Sequence, residues 1–225
     1  MILSVSAIED ADLLSEIRNK LDALEWRDGR ATAGKVARKV KQNEQAVMDS
    51  PAGRALHDAI MPLISKNPIV LAAARPNRCT QLMISKTRDG GHYGPHVDNA
   101  MMGSGASRVR TDISFTLFLS DPRDYEGGEL AIHTSSMVQN IKGQAGQLVL
   151  YPSSSIHEVK PVTSGERIVC VGWIESLVAD STQRELLFDL ENLRASLRRS
   201  MPSNAPELLT LDKSMANLLR MWVKT

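Results

Sequence analysis

The sequence predicts a mainly β core with flanking helices, an α+β chain whose centre is a sandwich or jelly roll. Three observations predict it. Between about residues 69 and 176 the chain breaks into short, β-branched segments punctuated by glycine. Amphipathic helical patterns lie on both sides of this stretch, and none falls between its strands, which argues against a parallel α/β sheet. Turn signals recur at Asp89-Gly90-Gly91, Glu126-Gly127-Gly128 and Lys142-Gly143.

In chain order, Ile8, Leu13, Leu14, Ile17, Leu21 and Leu24 recur at helical spacing, with Asp10 and Asp12 near the start where carboxylates suit the helix dipole. A second helix opens at Ser50-Pro51, a good cap followed by a good first residue, and buries Leu56, Ile60 and Leu63. Candidate strands follow over 69–74, 79–86, 92–98, 111–119, 128–133, 136–141, 146–151, 156–160 and 166–175. In 111–119, Ile113, Phe115, Leu117 and Leu119 alternate with Asp112, Ser114, Thr116 and Phe118, so the second face is mostly polar. Asp180 to Thr182 cap a helix running to about Arg199, with Leu186, Leu190, Leu193 and Leu197 as its stripe. A last helix carries Leu208, Leu211, Met215, Leu218, Leu219 and Trp222, a stripe suited to core packing or to a homo-oligomer interface. The expected organisation is an N-terminal helical region, 1–68, packed on a β core, 69–176, with C-terminal helices over 177–225.

Lys plus Arg is 27 and Asp plus Glu is 26, a formal charge of +1, with 42% apolar residues. This excludes a disordered chain and shows none of the basic excess of a nucleic-acid binder. The longest apolar runs, Ile69 to Ala74 and Ile168 to Ile174, fall well short of the ~18 residues of a membrane span. The N-terminus lacks the basic start of a signal peptide, and Cys79 and Cys170 sit in apolar contexts that suit reduced thiols, so a cytoplasmic protein is expected.

The sharpest chemical feature is His96-Val97-Asp98. On a strand, residues i and i+2 share a face, so imidazole and carboxylate converge. His157 follows 61 residues later on another β segment, and Arg167 ten residues after that. Two histidines and one carboxylate bind one face of a ferrous ion and leave three positions for a co-substrate and O2. A 2-oxo acid can chelate there, and its far carboxylate needs a cation. Arg167, after a turn at Ser164-Gly165, suits that task because a guanidinium grips a carboxylate with two hydrogen bonds. A cupin-like metalloenzyme without 2-oxoglutarate chemistry and a non-catalytic iron or 2-oxoglutarate sensor are the rival readings.

Other residues are weighed against this centre. His92 shares strand parity with His96, but a fourth ligand would close a position oxygen needs. His133 is a further histidine outside the triad, and His57, on the second helix, reads as a surface or capping residue. Trp173 suits the barrel mouth or the core equally, and Asn99 either the substrate or the surroundings of the metal. Tyr93, three residues before His96, points to the opposite face unless Gly94-Pro95 bends the strand, in which case it lines the pocket. The basic stretch Arg27, Arg30, Lys35, Arg38, Lys39 and Lys41 reads as a solvated face, or as a rim attracting an anionic substrate. It lacks the interleaved aromatics of a nucleic-acid surface.

Several blocks carry a resemblance. They are residues 29–34 (GRATAG), 40–43 (VKQN), 92–100 (HYGPHVDNA), 110–112 (RTD), 127–130 (GGEL), Tyr151-Pro152, 157–159 (HEV), 171–176 (VGWIES) and 184–190 (RELLFDL). With these the chain resembles the PKHD-type hydroxylases, bacterial relatives of prolyl 4-hydroxylase among the iron(II)/2-oxoglutarate dioxygenases. The resemblance implies a double-stranded β-helix (jelly-roll) core. It implies His96, Asp98 and His157 as Fe(2+) ligands and Arg167 as the partner of the 2-oxoglutarate carboxylate. It further implies hydroxylation with release of succinate and CO2, and L-ascorbate to restore ferrous iron. Family members often have an Asn-Arg-Tyr-like segment before the HxD strand. This chain has Ser85-Lys86-Thr87 there, which removes the tyrosine that strand would bring. A protein-bound proline, a free amino acid and an iron-chelating small molecule are all open as the small-molecule or peptidyl substrate.

Overall fold

A computed structural model describes residues 1–32 and 37–223 of the chain. In order the elements are β1 (Leu3–Ser6), α1 (Ala11–Leu21), β2 (Trp26–Asp28), β3 (Lys41–Gln42), β4 (Glu44–Ala46), α2 (Pro51–Ser65), α3 (Pro68–Ala74) and β5 (Pro76–Cys79). Then come β6 (Met83–Arg88), β7 (His92–His96), β8 (Met101–Met102), β9 (Val109–Arg110), β10 (Ile113–Phe118), β11 (Tyr125–Gly127), β12 (Leu130–His133) and β13 (Val138–Ile141). The chain closes with β14 (Gln147–Pro152), β15 (His157–Val159), β16 (Val162–Ser176), α4 (Ser181–Ser200) and α5 (Pro206–Trp222).

Two antiparallel sheets face one another. The major sheet runs β1-β14-β10-β16-β6-β4-β2, with β5 and β11 also paired to β16; the minor sheet runs β13-β12-β15-β7-β3. The core has two layers. On the outer side of the major sheet, Leu117, Leu148, Leu150, Cys170 and Ile174 pack against Ile17 of α1, Leu56, Ile60 and Ile64 of α2, and Val70 of α3. Between the sheets, Phe118, Val149, Tyr151 and Val169 meet Leu130 and Ile132 of the minor sheet. The polar face predicted for β10 is not turned to water. Ser114 and Thr116 are buried between the sheets, because both faces of this central strand are covered.

The local signals for the helices hold. Asp10 Oδ1 accepts from the backbone N–H of Asp12 and Leu13, Ser50 Oγ from Gly53, and Asp180 Oδ1 from Gln183. Four expectations change. The N-terminal region is not only helical, since β1, β2, β3 and β4 extend both sheets. Residues 69–74 are helix rather than strand. Asn67 caps α3 through Ile69 and Val70, Pro68 sits in its first turn, and a short apolar run fits either state until the cap decides. On α2, Ile64 rather than Leu63 completes the fully buried face. On α4 the side turned inward is Arg184 and Leu187, while Leu186 and Leu193 are exposed, because Arg184 reaches the carbonyls of Val178 and Ala179 at 2.8 and 2.7 Å and fixes the rotation of the helix.

Cys79 and Cys170 are unpaired thiols, and burial pushes the pKa of both up. Among the described residues no helix is long and apolar enough to cross a membrane.

Leu117 is fully buried where the helices meet the major sheet. Leu117→Ala should lower the unfolding free energy by about 2–5 kcal/mol. Urea denaturation would show this as a lower midpoint at unchanged slope; an unmoved midpoint would contradict the packing described.

Candidate active site

The two sheets enclose a cavity of about 330 Å³ whose walls include every residue of the expected metal centre. β15 lies beside β7, with His157 directly opposite His96. His96 Nε2 is 4.0 Å from Asp98 Oδ1, and His157 Nε2 is 3.6 Å from Asp98 Oδ2. One ligand atom from each residue falls within a 4.8 Å cluster. The three side chains are 8, 9 and 5% exposed for His96, Asp98 and His157.

Each imidazole is oriented by its own strand. His96 Nδ1 lies 2.8 Å from the Gly94 carbonyl and His157 Nδ1 3.0 Å from that of Ser155. A carbonyl can only accept, so Nδ1 carries the proton and the Nε2 lone pair faces the cluster. Burial, and then the neighbouring His157, hold the His96 pKa well below the ordinary imidazole range, so the ring is neutral at pH 7. Ser114 Oγ donates to Asp98 Oδ2 at 2.5 Å and lies 2.8 Å from Ser153 Oγ. The turn after Asp98 is pinned by Thr111, whose hydroxyl donates to the Asn99 carbonyl at 2.6 Å and whose N–H donates to that of Ala100 at 3.1 Å.

Tyr93 shares the face of His96, and its ring stacks on the imidazole at 3.6 Å with 13° between planes. The bend at Gly94-Pro95 is a β-bulge. His157 and Val159 oppose His96 and Tyr93, so two steps on β15 match three on β7. Tyr151 meets His157 edge-on at 5.0 Å.

Arg167 points into the same cavity from β16 and is 2% exposed. Its guanidinium stands 5.4 Å from the Phe118 ring centroid, and its Nε has no hydrogen-bond partner. No carboxylate among the described residues lies within ion-pair distance of it. Burial lowers its pKa, and the phenols of Tyr125 and Tyr151 lie within its electrostatic reach. The glycine pair before β12 makes room for it. Both Gly127 and Gly128 have positive φ, and a Cβ on Gly128 would stand 2.9 Å from Arg167 Cδ. Thr87 of β6 pairs with Arg167 in register and lines the cavity with Ser85, so this strand presents hydroxyls to the cavity.

Trp173 and Asn99 line the cavity; Trp173 is buried with no partner for its Nε1, and Asn99 is exposed. The other histidines lie elsewhere: His92 Nδ1 is near the Gly90 carbonyl, His133 pairs with Glu158, and His57 with Asp58. Sequence reasoning missed Ser114 as the support of Asp98, although the alternating polar face of β10 was its signal. It also read the basic stretch as one feature, and the structure divides it. Arg27, Arg38 and Lys39 are exposed, Arg30 pairs with Asp28, Lys35 lies outside the described residues, and Lys41 is buried in the cavity wall. Lys41 Nζ stands 5.1 Å from the Tyr93 ring centroid.

An antiparallel jelly roll with this cluster between its sheets fits the iron(II)/2-oxoglutarate oxygenases, and the family match gives that class. Residues 82–175 match the 2OG-Fe(II) oxygenase superfamily, and 181–224 match the PKHD-type hydroxylase C-terminal domain. The chain is 47% identical over 221 residues to a PKHD-type hydroxylase of Hyphomonas neptunium, covering 98% of this chain and 99% of that one. It is 46% identical over 222 residues to one of Synechococcus elongatus, covering 99% of each. The fold is shared with a prolyl hydroxylase from Trichoplax adhaerens, solved with a hypoxia inducible factor peptide. The TM-score is 0.55 at 16% identity, over 82% of this chain and 86% of that one. The chain belongs to the PKHD-type hydroxylase family and is an iron(II)- and 2-oxoglutarate-dependent hydroxylase.

Burial drives the Lys41 pKa from 10.5 down to about 8, against the pull of Asp28 and Asp98. Between these values the unfolded chain holds a proton that the folded chain has released, so stability rises with pH across that window. Wild type should therefore gain stability relative to Lys41→Met as the pH rises from 8 to 10.5. Urea denaturation at each pH measures this; a constant difference between the two proteins would contradict the buried position.

Proposed function

We propose that His96, Asp98 and His157 hold ferrous iron, and that Arg167 binds the distal carboxylate of 2-oxoglutarate during hydroxylation of a small-molecule or peptidyl substrate. The observation that carries this reading is Arg167 itself. A buried guanidinium with an unpartnered Nε and, among the described residues, no carboxylate within ion-pair distance is costly to keep, and a ligand carboxylate supplies what it lacks. The donor set fits ferrous iron, with two neutral imidazoles presenting Nε2 beside one carboxylate. Bound iron, together with 2-oxoglutarate and O2, supplies the oxidising power that turns a substrate C–H into C–OH with release of succinate and CO2.

The chain's own residues set the conditions for that chemistry. The Gly94 and Ser155 carbonyls hold the imidazole tautomers, and such outer partners raise ligand basicity. Ser114 satisfies one Asp98 oxygen and keeps the carboxylate aimed at the histidines. Tyr93 fixes the plane of His96 and lines the co-substrate pocket. Thr87 and Tyr125 accompany Arg167, while Leu130, Val159 and Val169 keep the surrounding wall apolar.

Ascorbate takes the role the family resemblance implies, return of oxidised iron to the ferrous state. Two unpaired thiols and the lack of a membrane-spanning helix among the described residues support a cytoplasmic setting. Self-association would draw on the exposed Leu186 and Leu193 of α4 and Leu209 and Met221 of α5.

Anaerobic addition of Fe(II) and 2-oxoglutarate to the metal-free protein should give a weak visible absorption band that requires both. Arg167→Met should weaken 2-oxoglutarate binding by about 30-fold or more while Mn(II) still binds. A folded protein that neither binds 2-oxoglutarate nor releases succinate would overturn the assignment. Ser114→Ala should weaken Mn(II) binding about tenfold, measured by electron paramagnetic resonance titration. Unchanged affinity would remove Ser114 from the metal's support.

A further inference from the structure

Of the ten methionines in the chain, Met83 and Met102 line the metal cavity. Both are half-buried, whereas Met137 and Met221 are 64 and 66% exposed. A thioether is polarisable and takes up one oxygen atom to become a sulfoxide. With a dissolved oxidant, exposure decides which methionine is hit first. With an oxidant made inside the cavity, position decides.

Position separates the two methionines of the wall. Met83 lies on β6 opposite Val171 of β16. β16 lies in turn beside β10, whose Ser114 donates to Asp98. Met83 is therefore two strands, about 10 Å, from the strand that anchors the metal carboxylate. Met102 comes four residues after Asp98, and its sulfur is 3.9 Å from Nδ2 of Asn99, the residue next to that ligand.

The backbone keeps Met102 there. The Asn99 and Ala100 carbonyls accept from Thr111, and Met101 and Met102 pair with Arg110 and Val109. Arg110 donates to both oxygens of Asp112 and to the Ser176 carbonyl, so the base of the β8–β9 hairpin is fixed to the major sheet. The aromatic groups of the wall that could also be oxidised are less open. Tyr93 lies with its ring face on His96, and Tyr151 and Trp173 are buried.

We propose that Met102 is a self-modification site, its sulfur taking one atom of O2 as methionine sulfoxide in turnovers that find no primary substrate. The inference rests on the iron and 2-oxoglutarate reading above, which supplies the oxidant. In the step a sulfur–oxygen bond forms, while the O–O bond and the bond from the 2-oxo carbon of 2-oxoglutarate to its carboxylate break. The second oxygen atom ends in succinate, and CO2 leaves. Half of the electrons that reduce O2 come from the sulfur and half from 2-oxoglutarate, and no proton is transferred. Sulfoxide reductases can reverse the modification, so it caps the damage of an unproductive turnover without destroying a metal ligand.

The test uses the full chain loaded with Fe(II) and 2-oxoglutarate, exposed to O2 without primary substrate and with catalase present to remove dissolved peroxide. Peptide mass spectrometry then locates the added oxygen. Met102 should be oxidised about tenfold more than the exposed Met137 and Met221, and should carry the heavy isotope when labelled O2 is used. Leaving out 2-oxoglutarate, or replacing iron with Zn(II), should leave Met102 unmodified. In Met102→Leu the total label in the protein should fall about tenfold. Oxidation that follows exposure, with Met137 and Met221 ahead, overturns the proposal. So does oxygen on Met83, Tyr93, Tyr151 or Trp173 in place of Met102, or an unmodified Met102 in a chain that binds 2-oxoglutarate. Anaerobic 2-oxoglutarate binding is measured alongside; if wild type fails to bind it, the reading beneath the inference fails instead.

Discussion

The pairing of β7 with β15 is the constraint on which the site depends. It sets His96 opposite His157, and neither histidine could reach the other's position if the register slipped by one residue, because every side chain would change face. The bulge at Gly94-Pro95 adds one residue to β7. It brings Tyr93 round to the face of His96, where the two rings stack. Asp98 follows just past the end of β7. Freed from the ladder, it turns its carboxylate toward both imidazoles and toward Ser114 on the opposite sheet.

The major sheet solves a different problem. β16 runs for fifteen residues and pairs with β10, β6, β5 and β11, so almost all of its length is paired on at least one side and Val169 to Val171 on both. Cys170 and Ile174 face the helices, while Arg167, Val169, Val171 and Trp173 line the cavity. Two buried arginines are engaged in different ways. Arg184 spends its hydrogen bonds on the carbonyls of Val178 and Ala179 and holds α4 in place. Arg167 has no comparable engagement among the described residues, and only a phenol-rich, water-poor setting around it.

The parts of the site governed by strand parity were legible in the sequence. His96 and His157 follow from their places on the candidate strands, and Arg167 from its spacing after His157; Asp98, expected to share a face of the strand with His96, instead stands past the end of β7 and reaches the imidazoles from the turn. Features governed by tertiary context were not. The bulge that reorients Tyr93 depends on how β15 pairs, which no local pattern announces. The polar face of β10 reads as solvent-facing until a second sheet is known to cover it. Lys41 is one cation in a run of six, and only the pairing of β3 with β7 separates it from its exposed neighbours. Residues 69–74 were ambiguous for a simpler reason: six apolar residues suit a buried strand or a buried helix, and the Asn67-Pro68 start was the deciding signal.

The connection of β1 to β14 bears on how the molecule is made. Leu3 pairs with Leu150 and Ser6 with Gln147, so the first strand of the chain joins the sheet only through residues near position 150. At about 5–20 residues per second of synthesis, β1 waits roughly 7–30 seconds for its partner. The strand next to β14 in the same sheet, β10, must in turn wait for β16 before its second edge is covered. The enzyme therefore reaches its final form by long-range closure late in synthesis. The cavity, with its histidines and buried cations, comes into being only when β16, ending at Ser176, has emerged.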